Sequence, residues 1–331
     1  MNFKVTVIIP IYNVEKFIKR CVISLFEQSL NEVQFIFVDD CSPDNSVAIL
    51  HDLINEYEAR KAHVQIIRHE INQGLASARN SGLLYASGEY IYHCDSDDWV
   101  EKDGLEALYN KAILDNSDIV WSDWYLSFLK NERYMSQAPV ESAFYNQIDI
   151  LKQLLGGRLK YNVWNKLIKR TLYIDNGIYF PDGYSMGEDM TMIKLFACAN
   201  KISYLPVGVY HYVQLNNEAY TKKKSENHFS QIKMNVDIVV KFLEAIYHDQ
   251  LKESIHFFKL NVKLPFLLSC DVTSYERWNT WFVESNSFID KNPLFKWRIR
   301  MIQKLALKRQ YFVLKIYNFI IQKVFYGIIY K

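Results

Sequence analysis

Four short apolar runs, three of them ending in a polar cluster, set the rhythm of the first hundred residues. Lys4–Pro10 reads Lys-Val-Thr-Val-Ile-Ile-Pro, and its length and β-branching predict a buried parallel strand. Pro10–Asn13 follows as a turn, with Asn13 a suitable helix N-cap. Val14, Phe17, Ile18, Cys21, Val22 and Leu25 then recur at helical spacing. Val33–Val38 is a second strand that ends in Asp39-Asp40. Loop residues Cys41–Asp44 lead to a second helix with Val47, Leu50, Ile54 and Tyr57 on one face. Val64–Arg68 is a third strand, Asn72 opens a third helix running to about Ala86, and Tyr90–His93 is a fourth strand delivering Asp95, Asp97 and Asp98. Strands alternating with helices predict an α/β fold, a parallel sheet with helices on its faces and right-handed crossovers. Ligands bind at the carboxyl ends of such strands. Tyr12-Asn13, Asp39-Asp40 and Asp95–Asp98 should therefore line one crevice.

Beyond Asp98 the pattern is less regular. Gly104–Asn116 has helical spacing and Ile119–Trp124 reads as a strand. Tyr161–Arg170 is aromatic and basic. Asn176–Gly187 carries Gly177, Pro181, Gly183 and Gly187 and reads as a loop. It leads through Glu188-Asp189 to an apolar helix over Met192–Ala199. Ile202–Val207 and Val209–Val213 read as two strands, and from about Ser225 the pattern is helical. In the tail, Phe295, Ile299, Ile302, Ala306, Val313, Tyr317, Ile320, Val324 and Ile328 recur at helical steps. Arg300, Lys304, Lys308, Lys315, Asn318 and Gln322 lie opposite, which predicts one or two basic amphipathic helices. Lys315 and Lys323 interrupt the apolar run, so a membrane-spanning helix is not expected.

Composition changes this picture little, and charge changes it more. Half of the 331 residues are hydrophobic, enough for a sizeable core. The net charge is only +2, yet Lys291–Lys331 holds ten Lys or Arg and no Asp or Glu. That leaves 29 basic against 37 acidic residues in the remainder. Such a tail suits an anionic membrane surface. The five cysteines, Cys21, Cys41, Cys94, Cys198 and Cys270, are scattered and form no C-x-x-C pair. Neither a zinc site nor a disulfide framework is indicated, and a reducing cytosol fits. The N-terminus runs straight into a strand, with no basic and apolar leader regions, so no signal peptide is expected.

The acidic cluster carries the first chemistry. Three carboxylates within four residues repel one another unless positive charge sits among them. Hard oxygen donors favour Mg²⁺ or Mn²⁺, while a polar turn is the plainer reading of the same residues. No G-x-G-x-x-G follows the first strand, which argues against a dinucleotide oxidoreductase. The absence of G-x-x-x-x-G-K-[ST] argues against a P-loop NTPase.

Six motifs occur in one order: Val5–Asn13 (Val-Thr-Val-Ile-Ile-Pro-Ile-Tyr-Asn), Phe37–Asp44 (Phe-Val-Asp-Asp-Cys-Ser-Pro-Asp), Asn72–Gly74, Ala78–Asn80, Ser87–Ile91 and Asp95–Asp98. Together they closely resemble glycosyltransferase family 2, which uses nucleotide-sugar donors and has the GT-A fold. Val163–Leu167, Phe180-Pro181 and Gly187–Asp189 resemble the acceptor half of its bacterial capsule and exopolysaccharide members. The resemblance covers about residues 3–215.

It implies a Rossmann-like, mostly parallel sheet flanked by helices, with a C-terminal helical extension. Residues 1–222 would form the catalytic domain, with 1–100 the nucleotide-sugar half and 101–222 the acceptor half. Residues 223–331 would be helical, ending in the basic tail 291–331. Pro10, Tyr12 and Asp39 match positions shaping the nucleoside pocket, with Asp39 facing the uracil. Arg79 matches a residue near the base or diphosphate. Asp95 and Asp97 match the D-x-D motif, Asp95 toward the ribose or sugar and Asp97 holding Mn²⁺ or Mg²⁺ on the diphosphate. Asp95 and His211 are further candidate metal ligands. Asp189 matches the catalytic base, with Glu188 as the alternative base or its orienting neighbour. Asp98 reads as support, Asp44 as a helix cap, and Trp164 as either core or a sugar-stacking face. One departure stands out: Val213 occupies a place where relatives often carry Arg, and Lys222–Lys224 lies nearby as a candidate substitute.

The expected function is an inverting, metal-dependent transfer of one sugar from a UDP-sugar to a glycan acceptor, lipid-linked, in cell-surface polysaccharide synthesis. The Gln-x-x-Arg-Trp sequence and multiple membrane spans of processive synthases are lacking. The enzyme is expected in the cytoplasm, peripheral on the inner face of the membrane through its tail, with no nucleic-acid partner. Two alternatives are a sugar-1-phosphate nucleotidyltransferase and an inactive nucleotide-sugar-binding partner of another transferase. The first would want a Gly-rich, basic loop after the first strand, which Pro10–Asn13 is not. The retained Asp97 and Asp189 argue against the second.

Overall fold

The structure is a computed structural model that describes residues 2–140, 146–181, 187–215 and 226–321. Its first hundred residues follow the alternation in the sequence: β1 (Val5–Ile11), α1 (Ile18–Phe26), β2 (Val33–Asp39), α2 (Ser46–Glu56), a one-turn α3 (Glu58–Lys61), β3 (Val64–Arg68), α4 (Leu75–Tyr85) and β4 (Tyr90–His93). These strands pair in parallel in the order β3-β2-β1-β4. Every residue of β1 and β2 is buried, as their unbroken apolar runs require. Register aligns the polar ends on one rim. Asp39 lies opposite Ile11, and His93 lies opposite Ile8. Gly88 precedes β4 where a Cβ would sit 2.5 Å from the Thr6 nitrogen, so only glycine fits that approach. Asn13 is not the helix cap expected of it: α1 begins five residues later, and Asn13 takes a left-handed turn, its N–H donating to Ser42 Oγ.

The chain continues with β5 (Trp99–Val100), α5 (Gly104–Asp115), β6 (Ile119–Ser127), β7 (Glu132–Met135), α6 (Gln147–Leu155), β8 (Lys166–Lys169), α7 (Arg170–Asp175), α8 (Gly187–Cys198) and β9 (Ile202–Val213). The nine strands among the described residues form one sheet in the order β3-β2-β1-β4-β8-β6-β9-β5, with β7 beside β6. β8 inserts antiparallel between β4 and β6. The two strands expected over Ile202–Val213 are one. Its pairing with β6 slips around Asp123, which absorbs Pro206 and Val207 as an irregularity in a single strand.

From Glu226 the described chain is helical: α9 (Glu226–Tyr247), α10 (Lys252–Lys263), α11 (Val272–Thr280), α12 (Trp297–Leu307) and α13 (Tyr311–Ile320). Two compact units emerge, residues 1–150 with 161–239, and residues 151–160 with 240–331. In the second unit the basic tail is two helices, broken where Arg309 takes positive φ. Their expected apolar stripe is only partly buried. Ile302 and Ala306 are covered, but on α13 Val313 and Ile320 are exposed while Asn318, expected on the polar side, is buried. The reason is hydrogen bonding: Asn318 Nδ2 donates to the carbonyls of Leu267 and Ser269, each at 2.7 Å, and lies 3.1 Å from the Tyr275 hydroxyl. Val324, Ile328 and Lys323 lie outside the described residues, as do Lys222–Lys224. No described helix is long and apolar enough to cross a membrane.

Candidate active site

The site is built at the carboxyl rim of β1, β2 and β4. Pro10 belongs to β1 itself, and Tyr12, just past its end, is half exposed. Asp39 closes β2. Its carboxylate accepts the Ser42 N–H at 2.8 Å and lies 3.5 Å from Arg68 Nε. The adjacent Asp40 turns the other way. It accepts His69 Nδ1 at 2.7 Å and the Gln73 and Gly74 N–H groups at 2.8 Å each. Neither aspartate caps α2; Asp40 instead serves the start of α4, where exposed N–H groups attract negative charge. Gly74, the residue before α4, has φ of +90°, a conformation that side-chain-bearing residues rarely adopt. Asp44 does act as a cap-like acceptor, bonding the Ser46 N–H and the Glu15 N–H.

Helix α4 carries Arg79 into the rim. Its guanidinium is fully buried and forks between two carboxylates: one nitrogen donates to Asp95 at 2.6 Å, another to Glu188. Burial alone would pull the guanidinium down; Glu188 and Asp95 outweigh it and leave it raised. The next residue, Asn80, makes a reciprocal pair with the Phe180 backbone, donating to its carbonyl at 2.7 Å and accepting its N–H at 2.9 Å. One helical turn thus grips both the acidic turn after β4 and the segment preceding α8.

Glu188 and Asp189 stand in the first turn of α8, not on a loop as the glycine-bearing approach suggested. Acidic residues are favoured at such a helix N-terminus by its dipole. Opposite them is a cation that the sequence reading passed over. Lys166 opens β8, whose pairing with β4 (Tyr92 opposite Leu167) sets it at the carboxyl end of that strand. Its ammonium is buried and bonds the Asn162 carbonyl and Asn165 Oδ1. Burial pushes Lys166 down to about 7, against the pull of Asp189 and Glu188. The signal for Lys166 was its motif, Asn-Lys amid apolar residues; only the fold shows which charges it meets.

The three aspartates after β4 divide. Burial drives Asp95 up to about 7, with Arg79 pulling it down and Glu188 and Asp97 adding to the rise. Asp98 is buried and structural: it accepts the Tyr210 hydroxyl and the Val213 N–H at 2.7 Å each. Burial, with Asp97 and Asp95 beside it, raises it well above the carboxylate range. Tyr210 also accepts the Asp95 N–H at 3.1 Å, so one phenol fixes both ends of the turn. Trp164 resolves as core, stacked on Tyr210 with ring centroids 4.4 Å apart. Asp97 is half-buried on the same turn.

His211, the third candidate ligand, follows Tyr210 on β9. It lies opposite Trp99 in the β5–β9 pair, stacked between Trp99 and Tyr125. Its two ring nitrogens face Glu101 and Glu132, each at 2.8 Å. Both ring nitrogens of His211 are thus engaged by carboxylates in this structure. No group of three His, Cys, Asp or Glu side chains converges to hold a metal among the described residues. The chemistry of Asp95 and Asp97 nonetheless fits Mg²⁺ or Mn²⁺, which are commonly bound by one or two carboxylates while substrate phosphates complete the shell.

Residues 6–183 match the family model described as Glycosyl transferase family 2. The chain is 32% identical over 212 residues to the uncharacterized glycosyltransferase EpsJ of Bacillus subtilis, a match spanning 63% of this chain and 60% of that relative. It is 32% identical over 260 residues to the cholesterol galactosyltransferase of Borreliella burgdorferi, spanning 75% of this chain and 70% of that one. Among solved structures, S. aureus TarS 1–349 in complex with UDP-GlcNAc superposes with a TM-score of 0.68 at 23% identity, covering 96% of this chain and 89% of that one. At this identity the likeness is one of fold, an α/β sheet flanked by helices with a helical C-terminal region.

Proposed function

Because the chain belongs to glycosyl transferase family 2, we propose that it transfers a single sugar from a UDP-sugar to a glycan acceptor, with inversion at the anomeric carbon. The observation that carries this reading is the fork of Arg79. It ties the acidic turn after β4, the donor side, to Glu188, the neighbour of the candidate base Asp189. Pro10, Tyr12 and Asp39 on the same rim are assigned to the nucleoside. The binding of UDP-GlcNAc by the TarS structure supports a UDP-sugar donor here.

In the reaction, Asp189 accepts the proton of the acceptor hydroxyl as its oxygen bonds to the anomeric carbon. The bond from that carbon to the diphosphate breaks, and its electron pair leaves on the UDP oxygen. A single displacement through an oxocarbenium-like state inverts the centre and needs no carboxylate nucleophile. Held by Asp97 and Asp95, Mn²⁺ or Mg²⁺ would supply positive charge against the departing diphosphate. Arg79 fixes Glu188 and Asp95, and Lys166 sets a buried amine, drawn down to about 7, near Asp189. The name of the Borreliella relative, a cholesterol galactosyltransferase, supports an acceptor with a lipid part. The basic tail supports attachment to the cytoplasmic face of a membrane.

The test is UDP release with a panel of UDP-sugars, with and without Mn²⁺. Asp97→Ala should remove the metal requirement together with turnover, and Asp189→Ala should remove turnover alone. Unchanged turnover in both variants would sink the assignment.

A further inference from the structure

The second unit carries a feature that catalysis does not use. An open groove of about 400 Å³ runs along α12, lined by Asp290, Trp297, Arg300, Lys304, Lys308 and Gln310 together with the apolar Met301 and Leu305. Trp297 is 67% exposed. Lys304 meets Asp290 at 2.7 Å. Arg300 donates to the Asn292 carbonyl, and its Nε is buried with no hydrogen-bond partner. The groove therefore offers two cations, Arg300 and Lys308, beyond the one that Asp290 offsets.

Gln310 leads directly into α13. The Asn318 bonds to Leu267, Ser269 and Tyr275 lock the rotation of that helix. Leu314 and Asn318 face inward, while Phe312 (77% exposed), Val313, Ile316, Phe319 (57%) and Ile320 face out, with Lys315 among them. A helix in water alone would turn such residues toward the core. A cationic groove beside an outward apolar face is the makeup of an interfacial helix on an anionic bilayer. A second copy of this chain would bring the same basic tail against itself. A soluble polyanion would have no use for the aromatic and aliphatic face.

We propose that the α12 groove takes the phosphate of an anionic lipid headgroup while the outward face of α13 lies at the level of the acyl-chain boundary. The proposal rests on the membrane reading above and adds to it a headgroup site and a defined depth.

Flotation of the full chain with vesicles tests it, comparing phosphatidylcholine alone with phosphatidylcholine carrying 30 mol% phosphatidylglycerol, a probe composition of roughly the charge such tails recognise. The wild type should bind only the charged vesicles. Arg300→Gln with Lys308→Gln should weaken binding by about 25-fold, roughly five-fold per charge. Phe312→Ser with Phe319→Ser should abolish it, with UDP release on a soluble acceptor unchanged in both pairs. If the charge pair binds like the wild type, the groove assignment is overturned and membrane attachment stands. If the wild type binds neither vesicle, or both equally, the membrane reading falls as well. If the wild type forms dimers that Phe312→Ser with Phe319→Ser dissolves, the face belongs to a protein interface and the proposal is wrong.

Discussion

Replacing Arg79 with Met keeps most of the side-chain volume and removes the charge that two carboxylates share. Breaking a buried ion pair by removing one partner costs about 3–5 kcal/mol, because the other charge is left unmatched. Here the guanidinium is 1% exposed, but the carboxylates of Asp95 and Glu188 are 24% and 32% exposed. Water reaches them once the cation is gone, which sets the expected loss near the lower end, about 3 kcal/mol. In a unit of this size each kcal/mol moves the melting temperature by about 2–4 °C, so Arg79→Met should melt roughly 6–12 °C lower. Calorimetry of the purified protein reads this directly. A double-mutant cycle sharpens it: Glu188→Gln in the Arg79→Met background should cost less than in the wild type, with a coupling of about 1–3 kcal/mol. Turnover should fall in Arg79→Met even below its melting range, since both sides of the site lose their shared anchor. A melt within about 2 °C of the wild type, with additive Arg79 and Glu188 effects, would refute the claim that the fork holds the two sides together.

Three other substitutions probe separate parts of the site. Asp189→Asn should lower kcat by about 10²–10⁴-fold while leaving UDP affinity by calorimetry nearly unchanged, and Glu188→Gln should lower it less; the reverse order would exchange their roles. Lys166, held down near 7 by burial, loses its proton in the folded state well before the unfolded chain does at about 10.4. Between those values the unfolded state binds more protons, so stability should rise with pH by up to about 1.4 kcal/mol per unit from this lysine. Urea midpoints at a series of pH values above neutrality should show that slope flattened in Lys166→Met, and an unchanged slope would count against the assignment. Tyr210→Phe removes the hydroxyl shared by Asp98 and the Asp95 N–H, and should cost about 2 kcal/mol in denaturant unfolding. Full stability in that variant would mean that Asp98 finds another partner.

Local periodicity was enough for β1 to β4 and the helices between them. Continuous apolar runs and three-four spacing depend on near neighbours in the chain, and those patterns carry their own meaning. The order of the polar clusters also announced the rim at which Asp39, Asp95 and Asp97 stand. What the tertiary structure alone decided depends on partners far apart in sequence. β5, β7 and β8 are two to four residues long and lack the aromatic run into an acidic cluster that marked the equally short β4; the sheet supplies their neighbours. Asn80 meets Phe180 across a hundred residues, and Arg79 meets Glu188 across still more. His211 looked like a metal ligand by residue type, yet Glu101 and Glu132 occupy its nitrogens. On α13 the apolar count was visible in the sequence, but its facing was not: the Asn318 amide donates to Leu267, Ser269 and Tyr275 and is buried, while Phe312 and Phe319 face out. Hydrophobic pattern selects the elements; the directional bonds that turn them and join distant ones form only when the whole chain is assembled.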